Sequence, residues 1–137
     1  SRKNKYPNIE ISNFNDLITQ SDIISFHCKP PINGLPIINM KELKAMKNNA
    51  VIINTARGNL INEKDLKKAL EDNIIGGAAL DVFNEEPAKD NILFETKNLI
   101  LTPHIAASTV EAQLVVAKQI AVQISNYFNK NEIVNSL

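Results

Sequence analysis

Ala50-Val51-Ile52-Ile53-Asn54-Thr55-Ala56-Arg57-Gly58 is the stretch on which the fold turns. Its apolar run, rich in β-branched residues, suits an extended segment covered on both faces, and the small polar cluster closed by Gly58 makes the turn that follows. Arg57 therefore stands at the carboxyl end of a strand. In open α/β sheets ligands bind along that edge, and a guanidinium fork there can grip a carboxylate through two parallel hydrogen bonds. An arginine solvated in a loop is the competing reading, and this stretch alone leaves the two level.

Working outward, the 137 residues suffice for one domain with a buried core. Lys and Arg together number 15, as do Asp and Glu, so the formal net charge is zero and no bulk attraction recruits nucleic acid or an anionic membrane. Cys28 is the single cysteine, which excludes a disulfide within the chain. No apolar run approaches the ~18 residues of a membrane span, and no signal peptide is visible. A cytoplasmic location is the resulting expectation, and no metal site is expected.

On the amino-terminal side, Ser1 to Asn8 read as a polar loop leading to a short strand near Ile9 to Ile11. Asn13 with Asp16 predicts a capped helix over Phe14 to Thr19, and Asp22 to His27 predict the next strand. Three prolines and Gly34 make Cys28 to Pro36 a loop at that strand's carboxyl end. Asn39 with Glu42 starts a helix that runs to about Met46 and leads back to the central strand.

On the carboxyl-terminal side, Asn62 and Asp65 are expected to cap a helix whose buried stripe is Leu66, Ala69 and Leu70. A strand over Ile74 to Val82 is interrupted by Gly76-Gly77, which either admit a close neighbouring backbone or start the strand late. An acidic loop, Phe83 to Asp90, precedes a short strand at Leu99 to Leu101 that ends on Thr102-Pro103-His104. Ser108-Thr109-Val110-Glu111 has the form of a capping box opening the longest helix, to about Phe128. Leu114, Ala117, Ala121, Ile124 and Phe128 share one face of it, which predicts packing along its whole length. The alternation of strands and helices argues for a parallel sheet with helical crossovers. Parallel strands put their carboxyl ends on one edge, so the loops carrying Arg57, Glu86 and His104 should open on one crevice.

An imidazole at a strand end is the usual choice for moving a proton near neutral pH. A carboxylate such as Glu86, bonded to the far ring nitrogen, would fix the tautomer of His104 and favour its imidazolium. Arg57, Glu86 and His104 would then bind an anionic oxygenated substrate and exchange one proton with it. Taken singly, each has a bland alternative: Glu85, Glu86 and Asp90 as a solvated acidic loop, and His104 as a structural histidine.

Taken in order with their flanks, they form a pattern. Asn54-Thr55-Ala56-Arg57-Gly58, then Gly77-Ala78-Ala79-Leu80-Asp81-Val82-Phe83 with Glu86-Pro87, then Leu101-Thr102-Pro103-His104-Ile105 resembles the signature of the NAD-dependent dehydrogenases specific for D-2-hydroxy acids, over about Phe14 to Asn135. Within that family the run Ser108 to Gln113 looks most like the bacterial branch that oxidises 3-phospho-D-glycerate to 3-phosphohydroxypyruvate in serine biosynthesis. The resemblance implies a Rossmann-type, doubly wound fold with NAD as cofactor. It also implies a small 2-hydroxy acid as substrate and a homodimer or higher homo-oligomer as the parent assembly.

Carried over by position, the resemblance makes Arg57 the holder of the substrate carboxylate and His104 the acceptor of the hydroxyl proton. Glu86 would orient and charge His104. Thr55, Ala56 and Arg57 would line the nicotinamide side, Asp81 would meet the carboxamide end, and His104, Ala106 and Ala107 would lie close by. Cys28 and Lys29 would belong to the cofactor loop. That loop departs from the family: His27-Cys28 is followed by Lys29 with the prolines displaced to Pro30 and Pro31, and Gly34 stands where a threonine is usual. Lys29 is expected to point into water and Cys28 to be a small packed residue.

No G-x-G-x-x-G occurs in the sequence. The turn that cradles a pyrophosphate, its strand and the acidic residue that binds the ribose have no counterpart here. Compared with the family, Ser1 falls just after that acidic position. The expectation is a partial doubly wound sheet lacking its first strands and glycine-rich turn: residues 1–128 as the carboxyl-terminal part of an NAD-binding domain, and residues 129–137 as a tail leading back towards a substrate domain. Such a chain alone is expected to be inactive and to bind NAD weakly. Other readings are a glyoxylate or hydroxypyruvate reductase, an NAD-responsive corepressor-like binding module, and a relict product with an exposed sheet edge.

Overall fold

The computed structural model describes residues 9–134. The loop expected over Ser1 to Asn8 and the last residues of the tail lie outside them. In chain order the elements are α1 (Phe14–Gln20), β1 (Ile23–Phe26), α2 (Met40–Ala45), β2 (Val51–Asn54), a 3-10 turn (Gly58–Leu60), α3 (Glu63–Glu71), β3 (Gly77–Leu80), β4 (Leu99–Leu101) and α4 (Val110–Lys130). The chain divides after Pro103 into two compact units.

The first unit is built on a four-stranded, wholly parallel sheet in the order β1-β2-β3-β4. Its register aligns Phe26 with Asn54, Asn54 with Leu80, and Leu80 with Leu101. The strand ends stand in a row, and His27, Thr55, Asp81 and Thr102 follow them along one edge. This α/β arrangement is the expected one, and α2 and α3 supply the first two crossovers. Between β3 and β4 the chain crosses as an irregular loop.

The strand expected near Ile9 to Ile11 is absent, and Ile9 and Ile11 are exposed. A strand exists only through the ladder it makes with a neighbour, and this segment has none. One face of the sheet is buried, through Ile24, Phe26, Ile52, Ala78 and Leu80. The opposite face is open at the margins, where Ile23 is 64% and Ile100 68% exposed, while in β2, the stretch expected to be covered on both faces, Val51 and Ile53 on that face are half-buried. Gly76-Gly77 satisfies both readings at once. The strand starts late, at Gly77, and a Cβ on Gly76 would lie 2.7 Å from the Asn49 carbonyl oxygen.

Helix starts show where local signals suffice. Asn13 accepts the Asp16 N–H at 2.9 Å, and Asn62 accepts the Lys64 and Asp65 N–H groups at 3.1 and 3.2 Å. Asp65 departs from expectation: instead of capping its own helix it accepts the Met40 N–H at 2.9 Å, so the first turn of α3 caps α2. The helices pack against each other, and Leu43 and Leu66 are both fully buried between sheet and surface.

The second unit is α4 with its lead-in. Its cap is Thr109, which accepts the Ala112 N–H at 3.1 Å, one residue later than the expected Ser108. The helix closes on Asn131 in the left-handed conformation, φ 53°. No residue of α4 is buried, and Leu114, Ile124 and Phe128 are 66%, 54% and 79% exposed. The expectation that this face packs along its length is therefore not met. Among the described residues no helix is long and apolar enough to cross a membrane.

Candidate active site

Asn54 ends β2 with its side chain 1% exposed. A buried amide must find partners, and this one finds them in the turn just after it. Its Nδ2 donates to the Arg57 carbonyl at 2.9 Å, and its Oδ1 accepts the Ala56 N–H at 3.1 Å. Its own carbonyl accepts the Asp81 N–H at 2.9 Å. The Asn54 side chain thus shapes the turn that carries Arg57, while its backbone carbonyl ties that turn to the end of β3. Sequence reasoning quoted Asn54 without giving it this role. The available signal was a polar residue closing an apolar strand, which has to be satisfied locally if it is buried.

Arg57 is exposed, and its Nη1 donates to the Ala56 carbonyl at 2.6 Å. That contact uses one donor of the guanidinium fork. Thr55, Ala56 and Arg57 line an open cleft of about 310 Å³ with His27, Cys28 and Lys29 from the loop after β1. The cofactor-loop residues and the β2 turn are thereby brought together. Cys28 is exposed, not packed, because the loop runs outward past the last buried residue of β1, Phe26. Lys29 is exposed as expected, while lying on the cleft wall. His27 was not singled out by the sequence. It shares this cleft, and its Nε2 stands 2.8 Å from the Ser25 Oγ.

Glu86 is exposed in the loop after β3, and its Oε1 accepts the Phe83 N–H at 2.9 Å. It lines a separate cleft of about 800 Å³ with Asn62, Glu63, Asn84 and Asp90. Arg57 and Glu86 thus face different clefts, yet the connections that carry them approach closely at Gly58 and Phe83. A Cβ on Gly58 would lie 2.0 Å from both the carbonyl carbon and the oxygen of Phe83, so only glycine allows the two connections to meet. Asp81 is 3% exposed and accepts a hydrogen bond from the Thr102 hydroxyl at 2.5 Å, which fastens the ends of β3 and β4 together.

His104, Ala106 and Ala107 belong to the second unit, and all three are exposed. His104 adopts the left-handed conformation, φ 54°. Histidine tolerates that region better than most residues, and such backbone conformations concentrate at functional sites. Downstream, the Gln113 side chain donates to the Ala107 carbonyl at 2.8 Å, joining the lead-in to the first turns of α4.

The residues at the cleft fit one end of a dinucleotide. A small, half-buried alanine beside a threonine hydroxyl and cationic donors can take a flat ring bearing an amide, and a cleft of about 310 Å³ is large enough for that end but not for the whole molecule.

Residues 1–106 match the family described as D-isomer specific 2-hydroxyacid dehydrogenase, NAD binding domain. The chain is 43% identical to a glyoxylate reductase of Thermococcus litoralis over 124 residues, covering 90% of this chain and 37% of the relative. It is 45% identical over 114 residues to a D-3-phosphoglycerate dehydrogenase of Methanocaldococcus jannaschii, covering 83% of this chain and 22% of that protein. Among solved structures, a glyoxylate reductase from Paecilomyes thermophila superposes with a TM-score of 0.80 at 35% identity, over 90% of this chain and 38% of its own. The chain therefore spans less than half the length of these relatives.

Proposed function

The chain belongs to the D-isomer specific 2-hydroxyacid dehydrogenase family, within its NAD-binding domain, and on that premise we propose that the protein carrying it transfers hydride between NAD and a D-2-hydroxy acid. The observation that carries this reading is the Arg57 guanidinium, presented at the carboxyl end of β2 on a turn held by the buried Asn54 and lining the cleft with Thr55 and Ala56.

In this reading Arg57 binds the substrate carboxylate and polarises the reacting oxygen. Thr55 and Ala56 form the wall against which the nicotinamide end rests, and Cys28 and Lys29 the opposite wall. Asp81, Ala106 and Ala107 complete the cofactor contacts. His104 takes the hydroxyl proton during oxidation and returns it as imidazolium during reduction, with Glu86 orienting and charging the ring. Bound NAD supplies the hydride acceptor. The parent protein assembles as a homo-oligomer, a reading supported by the apolar residues that α4 exposes.

Within this class we assign 3-phospho-D-glycerate as substrate, on the run Ser108 to Gln113 and the likeness to the phosphoglycerate dehydrogenase. Reduction of glyoxylate or hydroxypyruvate is the second reading, favoured by the comparable likeness to the glyoxylate reductases. Assay of the full-length protein for NADH formation with 3-phospho-D-glycerate, and for NADH consumption with glyoxylate and hydroxypyruvate, separates the two. Arg57→Lys should lower kcat/KM for the preferred acid by roughly ten- to a hundredfold, because a point charge does not reproduce the fork. Wild-type kinetics in that variant would remove Arg57 from the site.

A further inference from the structure

Glu63 is the first residue of α3, where a negative charge is favourable for the helix. Its carboxylate is spent elsewhere. Oε1 accepts the Asn84 backbone N–H at 2.8 Å, and Oε2 accepts from the Asn91 side-chain amide at 3.0 Å. These donors bracket one stretch of the irregular β3–β4 connection, and Glu86 lies between them. An irregular segment has no ladder to fix it, so two charge-assisted bonds to one carboxylate are strong constraints on its path.

The anchor points are themselves immobilised. Asn91 also accepts the Leu93 N–H at 2.9 Å, and Leu93 is fully buried in the core. Asn84 follows Phe83, whose N–H binds Glu86 and whose carbonyl abuts Gly58. Glu63 is held in turn on a helix capped by Asn62 and linked to α2 through Asp65. We propose that Glu63 is a positioning residue that clamps the loop after β3 on both sides of Glu86 and thereby sets where Glu86 is presented. The proposal rests on the reading of Glu86 as the carboxylate that orients His104.

The test compares Glu63→Ala, Glu63→Gln, Glu86→Gln and the double variant Glu63→Ala/Glu86→Gln in the full-length protein. Amide exchange at Asn84 and the pH profile of kcat are measured for each. Losing a charged acceptor should speed exchange at Asn84 by roughly ten- to a hundredfold in Glu63→Ala. The same variant should lower kcat and displace its pH profile in the direction seen for Glu86→Gln, with KM for NAD close to wild type. The double variant should lose no more than Glu86→Gln alone, since both act through one group. Glu63→Gln keeps one acceptor oxygen and should fall between; it also decides the matter if Glu63→Ala does not fold.

Unchanged protection at Asn84, or losses that multiply in the double variant, would overturn the proposal. A Glu86→Gln variant with wild-type kcat would instead overturn the reading of Glu86, and exchange at Asn84 would still show whether Glu63 holds the loop.

Discussion

Helices α3 and α4 carry the same kind of apolar stripe and meet opposite fates. In α3, Leu66 and Ala69 are fully buried and Leu70 nearly so, whereas in α4 Leu114 and Phe128 stay 66% and 79% exposed. The difference lies in the connections. α3 joins two adjacent parallel strands, and such a crossover lays its helix on the sheet. α4 is not a crossover between described strands; it belongs to the second unit, and none of its residues is buried. Periodicity states which face of a helix is apolar, and the topology decides whether the chain itself covers it.

The contrast can be broken most sharply at Leu66. Truncation to Ala removes a fully buried side chain from the interface of α3 with the sheet, and should destabilise the first unit by about 2–5 kcal/mol in denaturant unfolding. A loss near zero would mean that α3 is no better packed than α4. Asn54→Ala tests the polar side of the same unit. It leaves the part-buried Ala56 N–H and Arg57 carbonyl without their partner, and about 1–3 kcal/mol should be lost together with the order of the Arg57 turn. For the monomer the smallest effect is expected at Leu114, where Leu114→Ala should stay within about 0.5 kcal/mol because the side chain is exposed in the single chain. A cost comparable to that of Leu66→Ala would show that the stripe of α4 is covered in solution, as homo-oligomer formation requires, and its dependence on protein concentration would identify a second copy as the cover.

Much of the candidate site was legible because strand ends are marked by local chemistry. An apolar β-branched run closing on Asn54 and Gly58 placed Arg57 at the sheet edge, and the order of motifs placed the loop of Glu86 after the neighbouring strand. Other features had no local sign. Asp65 looks like a cap for its own helix and instead caps α2, 25 positions away in sequence. Glu63 looks like a charge at a helix start and instead holds Asn84 and Asn91, 21 and 28 positions away. A carboxylate near a helix terminus reads the same in either role, since only the neighbouring chain determines which amide it meets.

From Phe14 onward the sequence by itself determined the element types, the parallel alternation and the residues standing at the strand ends, because hydrophobic period, turn residues and caps act over a few positions. It also carried the family signature. Only the tertiary structure decided that Ile9 to Ile11 form no strand, that one sheet face stays partly open, that Cys28 is exposed, and that Glu63 and Asn54 hold the turns bearing Glu86 and Arg57. Strand pairing, burial and distant hydrogen bonds depend on which surfaces the whole chain brings together, and that choice is made by packing and not by any one segment.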